Sequence, residues 1–378
     1  MRATLAHTLA VSLAATLALW ACDPLPNDPA PHHAASNPSS EACGQCHVVE
    51  YAAWAESPHG KSSASPVFRA MVDEVRQSWG EAAAQRCEGC HAPGHDGDGS
   101  DTVGCVSCHM AVGNRAPRDG QLVVALEGAI AAPHAPNPAS PPPHPTRPGT
   151  FLASSTLCGT CHEVTGPEHF IEHTYSEFLA SPEAAAGETC QSCHMPRTPD
   201  PSNPERARTS HRLPSVTPAF GATPTTLARR RDDARQLLAS GLSLTLEPTA
   251  NGIALSLTNV AGGHHIPTGA TLIRELYVEV HPTPRGSDLD PPLIAMTLGA
   301  RMTADTFEVP LPTEADHVHI DSLAPSETRS VILPPSFTPP LTATLYLRPV
   351  RRDLALALGL DPEAPELAPL EVLRATLD

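Results

Sequence analysis

Lysine is almost missing from this chain. Lys61 is the only one in 378 residues, and arginine supplies the rest of the 24 basic side chains. Against 41 acidic residues the formal net charge is −17, which excludes the basic face that nucleic-acid binding needs. Aromatic side chains are also scarce, with 7 Phe, 4 Tyr and 3 Trp, too few to fill the interior of a protein this long. No apolar run reaches the roughly 20 residues of a membrane-spanning helix. Proline is plentiful instead: 43 residues is about twice the usual share. The composition describes one to three domains in an acidic, proline-broken chain whose interior must be filled by something other than side chains.

The first segment is not part of a fold. Arg2 precedes an apolar run from Leu9 to Ala21 that ends at Cys22, the pattern of a signal peptide over residues 1–21. LWAC at 19–22 resembles a bacterial lipoprotein signal with Cys22 as the lipidated residue, although Trp20 departs from the usual small side chain. Two or more acyl chains on Cys22 give a stable membrane anchor. An ordinary secretory signal with an incidental cysteine is the alternative. Residues 22–40 read as a Pro-rich tether.

The other ten cysteines form five pairs, each followed at once by histidine. They are CGQCH at 43–47, CEGCH at 87–91, CVSCH at 105–109, CGTCH at 158–162 and CQSCH at 190–194. Chance would supply about 0.02 copies in this composition. Two thiols separated by two residues reach the two vinyl groups of one porphyrin, and the next residue offers an imidazole to the iron. Cys43, Cys46, Cys87, Cys90, Cys105, Cys108, Cys158, Cys161, Cys190 and Cys193 are therefore expected to attach five haem c groups covalently, with His47, His91, His109, His162 and His194 as proximal ligands.

Zinc sites pair two CxxC units or add a spaced histidine. A thioredoxin-like CxxC occurs once, and a disulfide framework has no reason to repeat one spacing five times. Five large flat cofactors also account for the missing aromatics, and without them residues 41–215 are expected to be largely unfolded, as metal-dependent small domains are.

Longer phrases narrow the comparison. CGQCHVVEYAAWAESPHG at 43–60, VGCVSCHM at 103–110, FLASSTLCGTCHEV at 151–164, TYSEFLASPEAAAGETCQSCHMP at 174–196 and NVAGGHHIPTG at 259–269 resemble the multihaem cytochrome c superfamily. That superfamily includes the tetrahaem cytochrome of nitrifying bacteria and the hydroxylamine-oxidising and tetrathionate-reducing enzymes. The resemblance covers roughly 41–270 and implies distal ligands. His59 stands in the W-x-x-SxHG phrase, at the end of an amphipathic run with Tyr51 and Trp54 on one face. His211 in TSHRLP follows the last motif. His144 sits in PPPHPTRPG, with His134 as rival or companion, and proline stiffens such a segment. His264, rather than His265, matches the family's GHxxPTG. His95, His169, His173, His281, His317 and His319 are read as surface residues, and Met110 and Met195 as packing.

The expected fold is mixed: a haem-packed, mostly helical and irregular multihaem domain followed by a small β-sandwich-like domain. Residues 41–215 form the pentahaem part, with helices at 47–56, 66–85 and 168–181 and a long loop at 111–150. Residues 216–241 form a connecting helix whose Arg229–Arg231 lie on a solvated face. Residues 242–378 are β-rich, with a hairpin around Asn251-Gly252 and runs at 272–281, 293–299, 317–322, 328–333 and 341–348.

Electron transfer among closely packed bis-His haems is the favoured function, in an exported protein on the periplasmic or cell-surface side that is held to a bacterial membrane by its lipid. The partners are unidentified redox proteins, met through weak electrostatic encounters. The motifs at 87–91 and 105–109, 18 residues apart, are expected to be neighbours. No CxxCK variant marks a catalytic member. Only four distal ligands can be named for five irons, so an enzyme acting on a small nitrogen or sulfur compound at one open haem stays open as the alternative. A haem-bearing binding module that uses the β-domain is a third.

Overall fold

The computed structural model describes residues 39–93, 102–115, 119–125, 128–133, 142–166, 171–200, 203–282 and 292–378. The signal peptide, most of the tether, Cys22, His95, His134 and His169 lie outside them. Residues 37–378 form one compact unit of mixed helix and sheet.

The C-terminal part is two-layered. A three-stranded antiparallel sheet is ordered Thr328–Ile332, Gly252–Asn259, Leu242–Thr249. A six-stranded sheet is ordered Phe307–Glu308, Leu293–Ala304, Glu275–Pro282, Leu341–Arg348, Leu370–Leu377, with His317–Asp321 also beside Leu293–Ala304. Strict alternation puts Ile253, Leu255 and Leu257 inward. They meet Leu276, Val278, Val280, Leu298, Leu345 and Val372 from the larger sheet in one apolar core, as sandwich packing requires. The hairpin closes one residue earlier than its sequence implies. Thr249 pairs with Gly252, so Ala250 and Asn251 make the turn and Gly252 takes φ +126° as the first strand residue.

Before residue 216 buried apolar side chains are sparse, and the largest group is Val67, Met71, Val72 and Val75 on one face of the Pro66–Trp79 helix. Val67 and Met71 pack on Leu311, Val350, Leu354 and Leu367, so this helix joins the two halves of the chain. The expected helix over 66–85 is instead two helices, Pro66–Trp79 and Glu81–His91. Gly80, at φ +89°, ends the first in a conformation that glycine adopts without strain. The second runs straight into the CEGCH motif. Of the described residues in 168–181 only Thr174–Leu179 is helical, preceded by the short strand Ile171–Glu172. The 111–150 loop contains short strands, Ala111–Asn114 with Leu122–Val124 and Ile130–Ala132 in parallel with Thr146–Pro148.

The helix expected at 216–241 spans Pro224–Gly241. Its arginine triplet is not a solvated face. Arg229 pairs with Glu56, Arg230 donates to the Thr217 carbonyl, and Arg231 donates to the Ala368 and Pro369 carbonyls at 2.7 Å each. These contacts hold the helix between the two halves of the chain. The strand Leu370–Leu377 and the helix Arg352–Ala357 carried no signal strong enough to be read from sequence. Among the described residues no helix is long and apolar enough to cross a membrane.

Candidate functional site

A single connected cavity of about 2240 Å³ runs through the N-terminal half and along the edge of the β region. All ten paired cysteines line it, with all five motif histidines and His59, His144, His211 and His264. An ordinary small-ligand site holds about 300–1,000 Å³, so this space suits several large groups. The ten cysteines form no disulfides. Among the described residues no three His, Cys, Asp or Glu side chains come together as a bare metal ion would require.

Three of the motifs, at 43–47, 158–162 and 190–194, sit on short turns of helix that are fixed by hydroxyl caps. The Ser39 hydroxyl accepts from the Ala42 amide, Ser154 from Thr156, and Thr189 and Ser192 form a reciprocal capping box. Two motifs are built alike, SxxCGxCH at 40–47 and at 155–162. Ser40 accepts from the Cys105 amide at 3.0 Å and Ser155 from the Cys190 amide at 3.1 Å, so each serine bridges to a second motif. The glycine is required in both. A Cβ on Gly44 would meet the Tyr51 ring at 2.5 Å, and one on Gly159 the Tyr175 ring at 2.4 Å.

The sulfurs follow the same bridges. Cys43 lies beside Cys105, Cys158 beside Cys190, and Cys90 beside Cys161. Cys108 lies near both Cys158 and Cys161. The 158–162 motif is therefore the hub, touching the 87–91 and 190–194 motifs and close to the 105–109 motif. These contacts pair 87–91 with 158–162 and 105–109 with 43–47, while the Ser107 hydroxyl on the Pro93 carbonyl at 3.4 Å and Ser62, bonded to both the His91 carbonyl and the Val103 amide, also link 87–91 to 105–109.

Four histidine pairs face each other across the cavity. Ring centroids are 6.3 Å apart for His47 and His144, 6.4 Å for His59 and His162, 6.3 Å for His109 and His211 and 6.3 Å for His194 and His264. An imidazole nitrogen binds a transition metal at about 2 Å and lies about 1.1 Å from its ring centre, so rings on opposite sides of one iron are about 6.3 Å apart. The side chains present fit a bis-His iron at four motifs. The fifth differs. His91 stacks on the Phe68 ring at 3.9 Å and 13°, and among the described residues no histidine stands opposite it at such a distance.

Tautomer and charge also suit ligation. A carbonyl only accepts, so an Nδ1 bonded to one carries the proton and leaves Nε2 free. This holds for His91 on Ser62 at 3.2 Å, His109 on Ala131 at 3.0 Å, His211 on Thr209 at 3.0 Å and His264 on His265 at 2.8 Å. His162 instead donates Nδ1–H to the Glu172 carboxylate at 2.7 Å. Burial pushes His59, His91, His109, His194, His211 and His264 down and favours the neutral form that a ligand needs, whereas at His162 burial is outweighed by the Glu172 carboxylate, which pushes the ring up. Burial pushes His59 down to about 3, helped by the like charge of His162, His91 and His194. It pushes His194 down to about 4, helped by His264.

The phrases that carry the distal candidates have physical reasons. Trp54 Nε1–H donates to the Val103 carbonyl at 2.8 Å. Buried Ser57 accepts from the Gly60 amide at 3.1 Å, and a Cβ on Gly60 would meet the Trp54 carbonyl at 2.3 Å. Together they fix the turn that presents His59. His144 leads into the Thr146–Pro148 strand, whose parallel partner supplies the Ala131 carbonyl to His109. His264 is held by Asn259, a fully buried side chain. Its Nδ2 donates to the His264 and Leu323 carbonyls at 2.9 and 3.0 Å, and its Oδ1 accepts from Gly262 at 2.8 Å. His265 turns away to Ser322 at 3.0 Å. His317 and His319 are exposed, and Met110 is buried as packing. Glu172, Asn259 and Phe68 carried no sequence signal for these positions.

The family model for cytochrome c554 and c-prime matches residues 42–110. The crystal structure of a penta-heme cytochrome c552 from Thermochromatium tepidum superposes on 90% of this chain and 98% of that chain, with a TM-score of 0.64 at 19% identity. No curated protein matches the sequence. The two matches support a multihaem c-type cytochrome with a mixed helical and sheet fold.

Proposed function

We propose that this chain is an exported pentahaem c-type cytochrome that carries electrons. The observation that carries the proposal is the set of four facing histidine pairs at 6.3–6.4 Å, each with one member from a CxxCH motif. In this reading the ten cysteines form thioethers and His47, His91, His109, His162 and His194 are proximal ligands. His144, His59, His211 and His264 are distal ligands to His47, His162, His109 and His194 respectively. Haem c, when bound, supplies a one-electron ferric/ferrous couple.

The chain's part is to hold five such couples in one array. The sulfurs bring the motifs together in one array, with the 158–162 motif touching two others and near a third. The histidine pairs close four irons to substrate and leave them to electron exchange. The signal segment and Cys22 support export and lipid anchoring, and the acidic surface favours salt-sensitive encounters with basic partner proteins.

One observation favours a second reading, an oxidoreductase acting on a small nitrogen or sulfur compound. His91 has Phe68 against its ring and, among the described residues, no facing histidine, and in this second reading it is the site that takes the exogenous ligand unless one of His95, His134 and His169, outside those residues, closes it. Electron paramagnetic resonance of the oxidised protein separates the readings, after mass spectrometry has counted the haems. Five haem adducts with four low-spin irons and one high-spin iron fit the array with an accessible terminus. Entirely low-spin irons would remove the enzyme reading, and fewer than five haems would overturn the proposal.

A further inference from the structure

We propose that Glu172 makes the haem of the 158–162 motif the lowest-potential centre of the array. The inference rests on the reading of His162 as an iron ligand. Glu172 Oε1 lies 2.7 Å from His162 Nδ1, and Thr174 Oγ1–H donates to the same carboxylate oxygen at 3.2 Å. Glu172 Oε1 thus accepts from two donors, His162 Nδ1–H and Thr174 Oγ1–H, with Arg274 beside it at Gly269, a set of partners that suits an acceptor-only carboxylate. The acceptor on His162 is therefore a carboxylate rather than a neutral carbonyl.

Where another candidate ligand bonds an acceptor through its ring nitrogen among the described residues, that acceptor is a neutral carbonyl. His91, His109, His211 and His264 each donate to a backbone carbonyl, and His194 donates to that of Pro214. An Nδ1–H shared with a carboxylate gives the ring imidazolate character. Its Nε2 becomes a stronger donor, which stabilises ferric over ferrous iron. The charge near the metal acts in the same direction. Arg274 lies beside Glu172 with Nη1 donating to the Thr268 carbonyl at 3.0 Å, so it offsets part of the effect and sets its size.

The position of the site gives the effect a consequence. The 158–162 motif touches the 87–91 motif through Cys161 and Cys90 and the 190–194 motif through Cys158 and Cys190. A low-potential hub keeps electrons on its neighbours at equilibrium and passes any that reach it downhill, including to the His91 site.

The test is a mediated spectroelectrochemical titration of the intact holoprotein and of Glu172→Gln, with haem content counted by mass spectrometry. The relevant component is identified as the one that turns high-spin in His59→Ala. The lowest-potential component in Glu172→Gln should rise by about 59 mV, a tenfold change in its ferric-to-ferrous equilibrium, while the other four stay in place. A component that does not move, that is not the lowest, or that moves with all the others overturns the inference. Should Glu172→Gln not retain five haems, Arg274→Gln decides: the same component falling supports the assignment, and an unmoved one overturns it. Failure of the ligation reading looks different, since no component would then turn high-spin in His59→Ala even with five haems attached.

Discussion

The rings of His59 and His162 face each other with centroids 6.4 Å apart, although 103 positions separate them in the chain. One comes from a turn beside the first motif and the other from the fourth motif. A single iron between them would tie residues 59 and 162 together, closing a long loop of chain.

His59→Ala should leave five haems attached, because the thioethers remain, and convert one low-spin iron to high-spin. The measurement is the high-spin ferric signal and the long-wavelength charge-transfer absorption, both increasing by one iron's worth. Retention of the wild-type spectrum would show that His59 is not a ligand. His265→Ala is the control, since that ring bonds Ser322 and the spectrum should not change.

Much of the site was legible because covalent haem attachment imposes a fixed local spacing. Five repeats of CxxCH announce themselves in any composition, and His47 and His194 need no fold to be located. The distal candidates were legible only through longer phrases whose glycines and serines are fixed by close approach, such as Gly60 against the Trp54 carbonyl and Gly262 against Asn259. What sequence did not show was contact across distance. Glu172 reaches His162 from a two-residue strand, and Phe68 reaches His91 from a different helix. Neither has a periodic or local cause. The β region was legible from alternation, Leu341–Arg348 included although it is buried on both faces, but not at Leu370–Leu377, where a bulge breaks the alternation.

Asn259→Ala should be one of the more damaging single changes in the β region. It removes an amide that makes three hydrogen bonds and leaves the His264 and Leu323 carbonyls and the Gly262 amide without that partner. Unsatisfied buried groups cost about 1–3 kcal/mol each, and some relaxation toward water is available at the cavity edge. A loss of about 2–4 kcal/mol is expected by chemical denaturation. The same variant should loosen the turn that carries His264, so a fraction of the 190–194 iron should turn high-spin. Wild-type stability together with a wild-type spectrum would contradict both roles.

Withholding haem should split the chain into a folded and an unfolded part. Buried apolar clusters lie almost wholly after residue 216, and before it the Pro66–Trp79 helix is the main contributor. The sandwich core of Leu255, Leu276, Val278 and Leu345 needs nothing from the cavity. In a host without haem attachment, limited proteolysis should remove the N-terminal half and leave a stable fragment beginning near Pro224, which starts the helix packed on the sandwich. Circular dichroism of that apoprotein should show sheet with little helix, and the holoprotein should resist the same protease dose. An apoprotein that resisted cleavage across residues 41–215 would mean that side chains alone fill this half of the molecule, against what its few aromatics imply.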